Sequence, residues 1–201
     1  MAGKTPAMMR SFPVVFLLLA GTAFAVPPPG DVCDLLSTTS LEQAQNGKFF
    51  SAHPTSHDDG SFTSSLCFYK LQPESRSVSL EVISHSAKDH FSPREFWRKK
   101  FHPSEEEATE KENAFESTES ARESAERKNK RPPQHLAGIG EDAFWVDTGR
   151  DGALYVLAGD SILRLSLGGR DPQSVKAKKA SALAQSVVEK LGSSSSSPRI
   201  K

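Results

Sequence analysis

The sequence predicts an α+β domain: an antiparallel sheet of about five strands, packed by a C-terminal helix and a middle helix and closed by one disulfide. Three observations lead there. Segments that alternate apolar and polar residues cluster in two groups, one on each side of a middle helix, instead of alternating singly with helices. The helices carry their own start signals. Two cysteines, Cys33 and Cys67, follow a leader of the kind that directs a chain out of the reducing cytoplasm.

The leader occupies residues 1–25. Lys4 and Arg10 supply its positive start, Phe12 and Val14 to Ala20 its apolar run, and Ala23-Phe24-Ala25 its small-x-small cleavage site. A Pro-rich start at 26–30, Val26-Pro27-Pro28-Pro29-Gly30, cannot continue a helix. The apolar run falls short of the roughly 20 residues a spanning helix needs, and no second run of that length follows, so no membrane anchor is expected. Cleavage leaves 176 of the 201 residues, enough for one domain, at 31–192. It also removes two of the 25 basic residues and none of the 25 acidic ones. A balance of 23 against 25 is near neutral and gives no reason to expect nucleic acid as a partner.

Residues 33–46 read as a short helix, with Thr39-Ser40-Leu41-Glu42 as a capping box and Gly47 as its stop. The stretch Ser51 to Gly60, rich in His, Pro, Ser and Asp, reads as a loop. Phe62 to Leu71 then alternates, with Phe62, Ser64, Leu66 and Phe68 on one face and Cys67, Tyr69 and Leu71 on the other. Val78, Leu80 and Val82 repeat the pattern, so the two runs predict an antiparallel hairpin.

Ser92, Pro93 and Glu95 form the clearest local signal: an N-cap, a proline at the first helical position and an acidic residue completing the box. Phe91 and Phe96 are spaced as a hydrophobic staple, and Phe96, Trp97 and Phe101 give the helix an apolar face. Pro103 interrupts it. Residues 104–131 are charged almost throughout, with Phe115 their only large apolar side chain, and predict a charged helical insert. Such a segment is either solvated, in part disordered, or a docking surface for a partner.

Gly138 and Gly140 permit a tight turn before a strand at Ala143 to Val146. After a polar loop at 147–152, strands at Leu154 to Ala158 and Ile162 to Leu167 are joined by Gly159-Asp160, a two-residue hairpin turn. Asp171-Pro172 opens the last helix, whose stripe is Ala180, Leu183, Ala184, Val187, Val188 and Leu191, and Gly192 is its expected stop. Residues 193–201 read as a disordered tail.

Few residues invite chemistry. Cys33 and Cys67 lack the Cys-x-x-Cys spacing of a redox pair, so a structural disulfide is expected. His53 and His57, with Asp58 and Asp59, are the densest set of metal-ligand types. They lie in a loop-like stretch around Pro54, which offers little second-shell support, and no metal or other cofactor is expected. His102 precedes Pro103 and His135 follows Pro133, each without an evident partner. No Gly-x-Ser-x-Gly elbow is present, and Gly138-x-Gly140 precedes a strand, so no catalytic residues are expected and the chain reads as a non-enzyme. Trp145, Tyr155, Phe144 and Tyr69 are the residues that could line an apolar pocket between sheet and helix.

Cys33-Asp34-Leu35-Leu36, Cys67-x-Tyr69, the run Gly138 to Trp145 and the later Gly152 to Val156 are similar to features of small exported bacterial proteins. These include actinobacterial lipoprotein domains with a PsbP-like α+β fold. The resemblance covers most of residues 31–192 apart from the charged stretch, and this chain departs from it in lacking a lipidation cysteine. It implies a fold and a cell-envelope setting and carries no catalytic residues. The expectation is therefore a periplasmic or secreted accessory or binding module, meeting an envelope protein through residues 104–131. A carrier of a small apolar ligand is the alternative, and a metal-binding protein or hydrolase using His53 and His57 is a third.

Overall fold

Period-two alternation is what a half-buried strand requires, and it places most of the strands where they form. The computed structural model describes residues 31–86, 92–104, 131–147 and 151–194. Among them run β1 (Lys48–Asp58), β2 (Phe62–Gln72), β3 (Val78–His85), β4 (Gln134–His135), β5 (Asp142–Asp147), β6 (Gly152–Ala158) and β7 (Ser161–Leu167). They form one seven-stranded antiparallel sheet in the order β1-β2-β3-β7-β6-β5-β4. The helices are α1 (Thr38–Gln45), α2 (Pro93–Phe101) and α3 (Gln173–Ser194), with 3₁₀ turns at Asp31–Leu35 and Glu74–Arg76.

Two meanders meet at the β3–β7 pair, where Leu80 stands opposite Leu165 and Val82 opposite Leu163. These residues belong to the first face of the sheet, with Cys67, Tyr69, Leu71, Leu154, Val156 and Trp145. The 31–35 turn, α1 and α3 cover that face. Ala180, Leu183, Ala184 and Val187 of α3 are buried on it, with Val188 and Leu191 packed at its margin, as the stripe predicts. The second face carries Ile83, Phe144, Tyr155, Leu157 and Ile162, covered by Phe96, Trp97 and Phe101 of α2. Fully burying one aliphatic or aromatic side chain of this size contributes about 1.5–3 kcal/mol, so the larger first face dominates stability.

Cys33 and Cys67 are disulfide-bonded, with Cα atoms 5.2 Å apart. The bond pins the 31–35 turn to β2. Tyr69 reinforces it, its hydroxyl donating to the carbonyl of Cys33 at 3.1 Å and of Val32 at 3.3 Å. Burial pushes the Tyr69 phenol well above its ordinary pKa, so it stays a donor.

Several boundaries differ from expectation. The sheet has seven strands instead of about five. One addition is β1, which runs through the stretch expected as a loop. Among the described residues it is an edge strand paired with β2 alone, the position in a sheet where a proline such as Pro54 is tolerated, and its polar side chains meet solvent. The other is β4, two residues long and too short to leave a periodic trace. The α1 cap is Ser37, whose Oγ accepts from the Ser40 N–H at 3.1 Å, in place of the Thr39 box. Asn46, at φ 46°, ends that helix in the left-handed conformation. At the other end of the chain α3 passes Gly192 and continues to Ser194, taking in the first residues of the expected tail. Just before that helix, the Asp171 carboxylate accepts from Lys179 Nζ at 2.7 Å. The leader at 1–25, the start at 26–30, Phe91, residues 105–130 of the charged segment, residues 148–150 and the tail from 195 lie outside the described residues.

Candidate functional site

The polar network that stands out on the second face begins with how α2 starts and stops. Ser92 Oγ accepts from the Glu95 N–H at 3.2 Å, and Pro93 occupies the first position, so the helix starts where the sequence predicts. Trp97 then falls on the sheet side and is 3% exposed. Pro103 disfavours helical backbone at the residue before it, and His102 accordingly leaves the helix at φ −132°, ψ 53°. That departure turns the His102 imidazole toward the first residue of β5.

That residue is Asp142. Its Oδ2 accepts from Trp97 Nε1 at 2.8 Å and lies 2.7 Å from His102 Nε2. Its Oδ1 lies 3.0 Å from His135 Nε2 and accepts from the Ala143 N–H at 3.0 Å. His135 reaches it because β4 pairs with β5 in the register His135↔Phe144, which puts the imidazole on the second face. A carboxylate offers about four acceptor positions, and these contacts fill them. Burial alone would raise the Asp142 pKa. The His102 hydrogen bond, the Trp97 hydrogen bond and the charges of His102 and His135 outweigh it and hold the carboxyl below its usual 3.8.

An aromatic cluster frames this carboxylate. Phe101 stacks on Phe144 with ring centres 4.6 Å apart and planes within 3°. Trp97 lies 4.4 Å from Phe101, and the His102 and His135 rings lie 5.5 Å and 5.2 Å from Phe144. Lys100 Nζ sits 5.1 Å over the Tyr155 ring. Behind α2, Arg94 donates to Glu141 at 2.7 Å and approaches Asp160 at 3.6 Å, and Glu141 also accepts from the Gly159 N–H at 2.9 Å. Gly140 lets this corner close. It sits at φ 59°, and a Cβ there would come within 2.6 Å of Val156 Cγ1 and 2.5 Å of the Leu157 carbonyl oxygen.

Chemically the arrangement fastens rather than reacts. A carboxylate whose acceptor positions are filled and whose pKa is lowered is a poor general base and has no free oxygen for a cation. Among the described residues no group of three or more His, Cys, Asp or Glu is placed to hold a metal ion.

The residues singled out from sequence fare differently. Cys33 and Cys67 meet. Trp145, Tyr155, Phe144 and Tyr69 do not converge on one pocket: Trp145 and Tyr69 lie in the first-face core, and Phe144 and Tyr155 lie on the second. The reason is geometric, since consecutive strand residues such as Phe144 and Trp145 point to opposite faces. His53 and His57 share a face of β1, but four residues of strand separate their Cα atoms by roughly 13 Å. His53 Nε2 instead lies 2.9 Å from Ser51 Oγ. A groove of about 450 Å³ lies elsewhere, between α1 and α3, with Ala44, Ala182 and Leu183 in its wall and Lys178 among its lining residues.

The trio His102, His135 and Asp142 is what the sequence reading missed. The available signal was the proline beside or near each histidine, which marks where backbone leaves regular structure. Nothing local links His102 to an aspartate 40 residues on. Among the described residues no helix is long and apolar enough to cross a membrane. Comparison with family models, with curated proteins and with solved structures yields no match to this chain.

Proposed function

We propose that the chain is an exported, non-enzymatic accessory or binding module of the periplasm or extracellular space, which meets an envelope partner through residues 104–131. The observation that carries this reading is the convergence of the two stems of that segment. His102 before it and His135 after it bond the two oxygens of one carboxylate. The flanks of the segment are therefore tied together at Asp142, while Arg131 at its end reaches Asp147 at the other end of β5 at 3.4 Å. The disulfide supports an oxidising compartment, and the likeness to small exported bacterial proteins agrees with it. The saturated Asp142 supports a binding role over a catalytic one.

The test replaces residues 105–130 with a short Gly-Ser linker and repeats cross-linking in the envelope of the native host. Loss of the cross-linked partner while the disulfide-bonded domain still folds is the expected result. An unchanged set of partners overturns the contact assignment. Export is tested separately by N-terminal sequencing, which should begin near Val26; a native protein beginning at Met1 defeats it.

A carrier of a small apolar ligand is the second reading, and the α1–α3 groove is the observation in its favour. Native mass spectrometry of protein from its own host should then show a bound small molecule, lost when Ala182→Trp fills the groove. A clean mass for the protein alone rejects the carrier.

A further inference from the structure

We propose that His102, Asp142 and His135 form an acid-set clamp, which fastens the C-terminal end of α2 and the short strand β4 onto β5 and is weaker at neutral pH than at mildly acidic pH. The proposal concerns the described elements only and holds whether or not residues 104–131 are the contact surface.

The geometry is that of a two-cation bracket. Two elements far apart in sequence each contribute one imidazole, and each imidazole addresses its own oxygen of a single carboxylate, at 2.7 Å and 3.0 Å. The carboxylate is 17% exposed, which keeps the interaction from being fully screened, while the two rings are more than half exposed and free to exchange protons with solvent. The rest of the attachment here is the Phe101–Phe144 stack and the pairing of β4 with β5. β4 is two residues of paired strand, and His102 lies beyond the last residue of α2.

Among the described residues, the other charges around the site are engaged or face away. On α2, Arg94 is taken by Glu141 and Asp160, Lys99 lies 3.4 Å from Glu95, and Lys100 lies over Tyr155. Arg98 is exposed on the same helix. On β5, Asp147 stands at the far end of the strand on the first face, 3.4 Å from Arg131. β6 brings no charged side chain, and Arg164 of β7 pairs with Glu81. Among the described residues the two imidazoles are therefore the groups through which proton concentration can alter the charge facing Asp142.

Histidine changes charge between about pH 5 and pH 8. A cationic ring makes its contact with a carboxylate a charge-assisted hydrogen bond, the stronger kind. A neutral ring can hold the carboxylate only in the tautomer that keeps its Nε2 proton. At much lower pH the clamp opens again, when Asp142 itself takes up a proton below the usual carboxylate range. Its working range is bounded on both sides.

The experiment follows hydrogen exchange in the full, disulfide-bonded chain at about pH 5.5 and about pH 8, corrected for intrinsic exchange, so that it reads local opening. Protection of the Trp97 indole N–H and of the amides of Phe101 and His102 should fall about tenfold between the two, while β3 and β7 amides hold. In the double variant His102→Gln/His135→Gln the fall should vanish. Each single variant should keep a smaller fall than the native chain, and this serves if the double variant does not fold. Equal protection at both pH values in the native chain, or an undiminished fall in the variants, overturns the clamp.

Discussion

The chain's two tryptophans sit on opposite faces of one sheet, each 3% exposed, and they are held in opposite ways. Trp97 donates its indole N–H to Asp142 at 2.8 Å, inside a network of imidazoles and aromatic rings. Trp145, in the first-face core with Leu154 and Val156, has an indole N–H with no partner among the described residues. The first face is thus an aliphatic core in which shape and area matter and an idle donor is tolerated. On the second face a small aromatic layer depends on one carboxylate to orient it. Stability and adjustability are divided between the two sides of the sheet.

The largest way to break the comparison is to hollow out the first face. Leu165 is 1% exposed opposite Leu80, and Leu165→Ala should cost about 2–5 kcal/mol in urea unfolding. A loss below ~1 kcal/mol would mean that the first face is not the dominant core. The disulfide comes next. Closing a loop over a separation of 34 residues contributes about 3–4 kcal/mol, so Cys33→Ser/Cys67→Ser should lower the unfolding free energy by that amount. It should leave the aromatic signals of the second face in place.

The two tryptophans then sharpen the contrast directly. Trp97→Phe and Trp145→Phe remove the same atoms, but only the first removes a hydrogen bond to a charged acceptor, so it should cost about 1–2 kcal/mol more. Equal losses would deny the carboxylate its organising role. The smallest effect is in acid. Asp142 and Asp171 have lowered pKa values, Asp171 chiefly through its hydrogen bond from Lys179. A depressed carboxylate contributes stability that is present above the ordinary value of 3.8 and is lost as pH falls through its folded value. Asp142→Asn should flatten part of the acid limb of the stability profile; a profile identical to the native one would show that the clamp carries no stability.

Much of the fold could be read in advance because it rests on local rules. Alternation along Phe62–Leu71 and Val78–Val82 locates β2 and β3 and assigns their faces correctly. The Ser92-Pro93 start locates α2, and the stripe from Ala180 to Leu191 locates the buried side of α3. Those rules fail where a strand has one neighbour or almost no length. β1 carries a proline and polar side chains because half of its surroundings are water, and β4 holds two residues by pairing alone. The pocket expected from Trp145, Tyr155, Phe144 and Tyr69 also fails, on the rule of alternation itself, which separates Phe144 from Trp145.

From the amino-acid order alone came the α+β class, the pairing of the two cysteines and the aliphatic stripe that α3 lays on the first face. Each depends on neighbours a few residues apart or on a residue type with one possible mate. The meeting of His102, His135 and Asp142 was decided only in three dimensions. It required α2 to end at Pro103, β4 to pair in one register with β5, and the sheet to bring the two together. Side-chain contacts between elements depend on those rotations and registers, and no periodicity along the chain encodes them.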